Sequence, residues 1–311
     1  MTSQFDTGHT GPILDTQLDD LGLRLATASE DGLVKLWDVQ SPEDPVFLCD
    51  LEGHSGPVHQ VAWAPVGTGA GALLLSGGSD GRALLWGPCQ DPKRWQVVHE
   101  ENLSKHGEVR AVSWAPMNLG AAFACALSDG TVTTTIHQGT VRSGEADVEH
   151  RWQTQTFAIH KGEVHAVSWA SSVGPDSRGK LSGACLSSAG DDGLRVWSIL
   201  DVQGRCKQEV VDEAENKESI RDVAWKPWDG NYDVLASVKG HEVIFWCREN
   251  SKWMVESRVD LQEEVWKLQW YQAGSQLLVT CGTKEYRSIM LKQQLSGKWD
   301  IIDLSEEATT Q

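Results

Sequence analysis

An apolar residue, two unconstrained ones, a second apolar residue, and a tryptophan two places later: the chain writes this pattern five times. It occurs as Val58, Val61, Trp63; Val109, Val112, Trp114; Val164, Val167, Trp169; Ile220, Val223, Trp225; and Val265, Leu268, Trp270. A degenerate sixth copy, Ile13, Thr16, Leu18, stands near the start. The last position of each copy steps from 18 to 63, 114, 169, 225 and 270, at intervals of 45, 51, 55, 56 and 45 residues. Self-similarity at such a period constrains the fold more than any local motif, because each repeat buries its core only by stacking on its neighbours. The 311 residues are therefore read as one repetitive domain over 10–304, with a short segment at 1–9 before it and a disordered tail at 305–311.

Each tryptophan is followed by a turn, a run such as "ALLLSGGSDG" (72–81), and a second run such as "RALLWG" (82–87). Alternating apolar and polar positions rich in Val, Leu and Trp favour half-buried strands, and Asp31-Gly32, Asp80-Gly81, Asp129-Gly130 and Asp192-Gly193 supply tight hairpins. A fourth, more exposed strand follows in every repeat: 45–51, 95–100, 152–159, 206–212, 253–259 and 298–304. Four antiparallel strands repeated six times make an all-β chain, a six-bladed β-propeller.

Composition narrows the function. A net charge of -17 repels phosphate backbones, so direct nucleic-acid binding is not expected. Seven cysteines without Cys-x-x-Cys spacing read as free thiols in a reducing compartment. No stretch approaches the length of an apolar membrane span, and "MTSQFDTGHT" has no signal-peptide character, so a cytosolic or nuclear location is expected. Ten histidines form no metal-ligand spacing, and "GGSDG" (77–81) lacks the lysine and following helix of a phosphate loop. No metal, no cofactor and no catalytic residues are expected; the chain is read as a non-enzyme.

The strings "KLWD" (35–38) and "EGH" (52–54) resemble WD-repeats. More specifically, "GLRLATASEDGLVKLWDV" (22–39), "GHSGPVHQVAWAP" (53–65), "VSWAPMNLGAAFACALSDGTV" (112–132), "IRDVAWKP" (220–227) and "EEVWKLQW" (263–270) resemble, blade by blade, the Sec-thirteen family. That family is the WD-repeat subunit of the COPII outer vesicle coat, shared with the Y-shaped scaffold of the nuclear pore. The resemblance implies an open six-bladed propeller that receives a seventh blade in trans from an elongated helical scaffold protein, by strand addition. It also implies a place in ER-to-Golgi transport, at ER exit sites on the cytosolic face of the membrane, at the nuclear pore complex, or both. Departures are Ile136 and Leu291 where third strands elsewhere carry Trp, and "KGHE" (239–242) and "TKEYRS" (283–288) in place of Asp-Gly hairpins. A sister nuclear-pore propeller therefore stays open as an alternative, as does a WD-repeat adaptor that reads a peptide, such as a ubiquitin-ligase receptor or histone reader.

Both terminal blades are complete within their own stretches, which leaves no evident interlock between them. On the repeats alone an open ring and a closed six-bladed ring stand level, and the resemblance favours the open one. Two uncovered faces of a few hundred Å² each, at about 25 cal/mol per Å², call for cover worth on the order of 10 kcal/mol. The partner-binding candidates are accordingly Ile13, Leu14 and Thr16 in the first blade and Val265, Trp266 and Leu268 in the last. The second position of each inner strand gives His59, Arg110, His165, Arg221 and Trp266, expected at a channel mouth, where they either recognise a partner or cap the strand ends. The aligned tryptophans are expected as packing between blades, and Trp95, Trp152, Trp253 and Trp299 as partly exposed starts of fourth strands. The stretches 137–151 and 171–183 read as surface loops, and 209–218 as a solvated acidic edge.

Overall fold

Among the described residues twenty-four strands form six antiparallel sheets, and in each sheet four strands consecutive in sequence lie side by side. The computed structural model describes residues 5–41, 44–66, 72–91, 93–116, 119–138, 152–170, 184–199, 206–213, 218–227, 233–249, 252–271, 274–283, 287–294 and 296–303. The expectations at 139–151, 171–183 and 305–311 fall outside them. The sheets are the six blades of a β-propeller. The chain divides into two compact units, Thr2–Ile159 and His160–Gln311, each with three blades. A single-domain reading from the repeats does not anticipate this division, which fits an array whose blades pack only on their immediate neighbours.

The inner strands are Ile13–Leu18, Val58–Trp63, Val109–Trp114, Val164–Trp169, Ile220–Trp225 and Val265–Trp270, the six copies of the repeat. Each carries a register shift near its second residue. In a regular strand, residues three apart face opposite sides; the bulge inserts one extra residue and brings the first and fourth onto the same side. Val265 and Leu268 are both buried for that reason, in one cluster with Phe245, Leu277 and Leu291.

Adjacent blades within a unit are joined by two recurring hydrogen bonds. First, the sixth-position indole Nε1 donates to the fifth-position carbonyl of the preceding blade: Trp63 to Gln17 at 2.9 Å, Trp114 to Ala62 at 2.8 Å and Trp270 to Ala224 at 3.1 Å. Second, the fourth-position N–H donates to the third-position side chain of the preceding blade: Val61 to Asp15 at 3.1 Å, Val112 to Gln60 at 2.8 Å and Leu268 to Asp222 at 2.7 Å. The junction of blades four and five departs from both rules. Ala166 has no acceptor there, so the N–H of Val223 turns to its own neighbour Asp222 at 2.9 Å, while Ser187 occupies the carbonyl of Ser168 at 3.1 Å and the Trp225 indole is left without a partner.

Inside the blades a buried polar chain ties loop to sheet. In blade two the Trp86 indole donates to Ser76 Oγ at 2.8 Å, Ser76 Oγ lies 2.8 Å from His54 Nε2, and His54 Nδ1 lies 3.0 Å from Asp80. A carboxylate only accepts, so Nδ1 carries the proton and the neutral ring accepts from the serine hydroxyl. Burial pulls the His54 pKa down, consistent with that neutral ring, although the Asp80 carboxylate acts in the opposite direction. Burial also works against ionised Asp80, yet the Ser55 N–H, the His54 ring and the Arg82 N–H outweigh it and hold its carboxyl at about 2. Blade four repeats the chain with Trp197, Ser188, His160 and Asp192. Blade one repeats it with Trp37, Thr27, His9 and Asp31.

His9 falls in the segment 1–9 that the repeat pattern places outside the propeller. The structure corrects that boundary, for the His9 side chain is buried and Phe5 packs edge-on against Trp37 with ring centroids 5.0 Å apart. Trp299 is a second correction: it is buried and stacks flat on Phe245 of blade five at 4.1 Å, which the expectation of an exposed fourth-strand start misses.

Candidate partner-docking faces

Interior blades are buried on both sides. The second strand of blade two, Leu74–Gly78, is buried at every position and that of blade five, Val234–Lys239, at all but its last, because a neighbour in the same unit covers each face. Blade six differs. Along its second strand, Gln276–Cys281, burial alternates residue by residue: Leu277, Val279 and Cys281 are buried and Gln276, Leu278 and Thr280 are not. Only one face of this sheet is covered, the one packed on blade five through Phe245 and Val243.

The incompletely covered face is traced by the cross-strand row Gln269, Leu278, Met290, Ile302. Leu278, Met290 and Ile302 are half-buried, and Gln269 is exposed. The corresponding row of blade two is Ala62, Leu75, Leu85, His99, and there Leu75 and Leu85 are fully buried against Trp114 and Phe123 of blade three. Blade six thus has the apolar surface of an interior blade and lacks the cover.

Blade one is exposed on its other side. Direct cross-strand partners place Leu18, Leu25, Trp37 and Phe47 in one row, the counterpart of the Trp63, Leu74, Trp86, Val97 row that blade two packs onto blade one. Leu18 is 52% exposed, whereas its blade-two counterpart Trp63 is 9% exposed. Trp37 is shielded by Phe5 and Phe47. Ile13, Leu14 and Thr16 are exposed on the inner strand of this blade.

The second-position residues form blade-to-blade staples. Glu108, the residue before the inner strand of blade three, takes both His59 Nε2 of blade two at 3.1 Å and its own blade's Arg110 Nη1 at 3.0 Å. Glu264 stands at the same place in blade six and accepts from Arg221 Nη2 of blade five at 2.6 Å. The Arg221 guanidinium also lies over the Trp266 ring, 4.3 Å from its centroid, and the Trp266 indole donates to the Gly282 carbonyl at 2.7 Å. His165 Nε2 instead meets Asp191 at 2.8 Å in its own blade. The structure therefore joins His59 and Arg110 through Glu108, while Arg221 meets the Trp266 ring directly and Glu264 by a hydrogen bond; the repeat pattern singles out neither carboxylate.

Among the described residues no three His, Cys, Asp or Glu groups converge as metal ligands. Burial pushes the thiols of Cys125 and Cys49 up to about 12 and about 11, which keeps them protonated and poor nucleophiles. No helix of the described residues is long and apolar enough to cross a membrane.

Comparison with known proteins adds a family to this geometry. The sequence profile described as "WD40: WD domain, G-beta repeat" matches residues 2–38 and 45–87. A "Protein transport protein SEC13" of Cryptococcus neoformans var. neoformans serotype D is 30% identical to the chain over 337 residues, spanning 96% of this chain and 95% of that protein. The chain belongs to the SEC13 family. The "Protein SEC13 homolog" of Drosophila melanogaster is 29% identical over 96% of this chain and 82% of its own length, and the Mycosarcoma maydis protein of the same family is 28% identical over 96% and 93%. Among solved structures, a chain of the "Crystal Structure of Mitotic Checkpoint Complex" matches with a TM-score of 0.64 at 19% identity, over 94% of this chain and 79% of that one, a likeness of fold alone.

In this SEC13-family chain the candidates named from the repeats separate by position. Ile13, Leu14, Thr16 and Trp266 are exposed, whereas Val265 is fully buried and Leu268 is 6% exposed, both inside the core shared with blade five. These two cannot touch an added partner. Leu278, Met290 and Ile302, which repeat reasoning missed, occupy the open face instead. Their signal was available in the sequence: once Val265 and Leu268 are placed on the covered side, strand alternation puts Gln269 on the other.

Proposed function

We propose that this chain is a structural, non-enzymatic scaffold of the protein-transport type, which clamps a β-blade inserted by an elongated helical partner. The half-covered strand Gln276–Cys281 carries the reading: its Leu278 face has the apolar make-up of an interior blade junction and no junction partner among the described residues. Leu18, exposed on blade one, marks a second apolar face that lacks such cover. The names of its relatives support a protein-transport role. The finer assignment is to the COPII outer coat at ER exit sites, the Y-shaped scaffold of the nuclear pore, or both. A peptide-reading adaptor fits less well, because His59, Arg110 and Arg221 are already engaged by Glu108 and Glu264.

The test is affinity purification of the tagged chain with chemical crosslinking. An elongated helical scaffold protein is expected, crosslinked to the outer strand of blade six, Trp299–Asp303. Met290→Glu, which places a charge on the half-buried face, is expected to keep the far-ultraviolet spectrum and lose that protein. Full recovery of the scaffold by the variant, or recovery of short peptide ligands alone, contradicts the proposal.

A further inference from the structure

The two junction rules also specify what the open face of blade six can accept. Resting on the blade-accepting reading above, we infer that the partner's inner strand carries a carboxylate at its third position and a tryptophan at its sixth.

The indole requirement comes from the fifth-position carbonyl. Three junctions use it as the acceptor for the next blade's tryptophan, and in blade six that position is Gln269, whose side chain is exposed on the open face. An incoming strand with tryptophan at position six reproduces the bond that Trp63, Trp114 and Trp270 make. Because the bulge and pairing of blade six match those of blades one and two, the carbonyl of Gln269 has the same place relative to its sheet as those of Gln17 and Ala62.

The carboxylate requirement comes from the third position. Asp15, Gln60 and Asp222 cap the fourth-position N–H of the next blade, but blade six has Lys267 there, and an ammonium has no lone pair to offer. An incoming blade must then cap its own N–H. The fourth junction displays the solution, since opposite Ala166 it is Asp222 of the following blade that bonds the N–H of Val223. The expected partner strand reads apolar, any, Asp or Glu, apolar, any, Trp, as Ile220–Trp225 does in blade five.

The test uses blade copies as probes. The full chain is extended by a flexible Gly/Ser linker of about 20 residues and a copy of 218–262, and amide hydrogen exchange is followed in Gln276–Cys281 and Arg287–Gln293. Protection of both strands is expected to rise about tenfold or more, and to fall back at least about fivefold when the copy carries Asp222→Ala or Trp225→Phe. Lys267→Gln in the receiving chain supplies the acceptor that Gln60 gives blade three, and is expected to restore protection by the Asp222→Ala copy. A copy of 57–102, with Gln60 at the third position, is expected to protect less than the parent copy. If the Asp222→Ala and Trp225→Phe copies protect as well as the parent, the strand chemistry is wrong and blade acceptance stands. If neither the 218–262 nor the 57–102 copy raises protection, blade acceptance itself is wrong.

Discussion

Replacing Ser76 with alanine tests the buried polar chain where it is most loaded. Ser76 is fully buried, and its hydroxyl accepts from Trp86 at 2.8 Å while donating to His54 at 2.8 Å. Ser76→Ala strands an indole N–H and an imidazole nitrogen, and leaving a buried polar group unpaired costs about 1–3 kcal/mol each. Allowing for some relaxation, the expected loss is about 2–4 kcal/mol. Blade five offers an internal control, because among the described residues Ser237 takes only the Trp246 indole, at 2.9 Å, so Ser237→Ala should lose about half as much. Ser76→Thr should be close to neutral, since Thr27 fills the same role in blade one. Urea unfolding followed by tryptophan fluorescence, with the slope held constant between variants, reads these differences. Adding Trp86→Leu to Ser76→Ala should cost less than the sum of the two single losses, because both act on one bond. A Ser76→Ala loss below about 0.5 kcal/mol, or one equal to that of Ser237→Ala, would refute the two-bond account.

Acid should destabilise the protein in two steps. Burial lowers the folded-state pKa of His54 and His160, so the unfolded chain takes up protons first and stability falls as pH drops below about 6.5; Asp31 and Asp80, held at about 2 against an ordinary 3.8, lose their contribution between those values, and a urea midpoint unchanged from pH 7 to 5 would contradict the first step. Gly81→Ala should be far costlier than Gly240→Ala in the same assay: both have positive φ, but a Cβ at Gly81 meets the Ser104 Cα at 2.5 Å and one at Gly240 meets nothing within 4 Å. Trp266→Asp should lower the melting temperature only modestly, since the residue is 39% exposed and gives up one hydrogen bond and its contact with Arg221, while weakening scaffold capture in pull-down assays; undiminished capture assigns Trp266 to packing alone.

The blades themselves were legible because one physical demand, burial against the next blade, recurs at every inner strand. The spacing of Val265 and Leu268 held more information than alternation could extract. Residues three apart on one face of a strand require a bulge, and ignoring it turned two core residues into docking candidates. His9 was hidden for a different reason: its partners Thr27 and Asp31 belong to the next hairpin, and no local pattern marks a histidine that closes a blade from outside the strands. Glu108 and Glu264 act on a blade other than their own, His59 and Arg221 lying 49 and 43 residues away, so only the stacked sheets disclose them.

Blade six has Leu277, Val279 and Leu291 where blade two has Leu74, Ser76 and Trp86, so the buried hydroxyl and the indole that pair in blade two are absent from it. Without that internal wiring, and with one face half-covered, its strands should open at the lowest free-energy cost of any blade and exchange their amides first. The surface held out to a partner is then also the part of the chain least able to persist by itself. Degradation that samples open forms would begin there, and an occupant of that face would lengthen the life of the whole molecule by closing the place where unravelling starts.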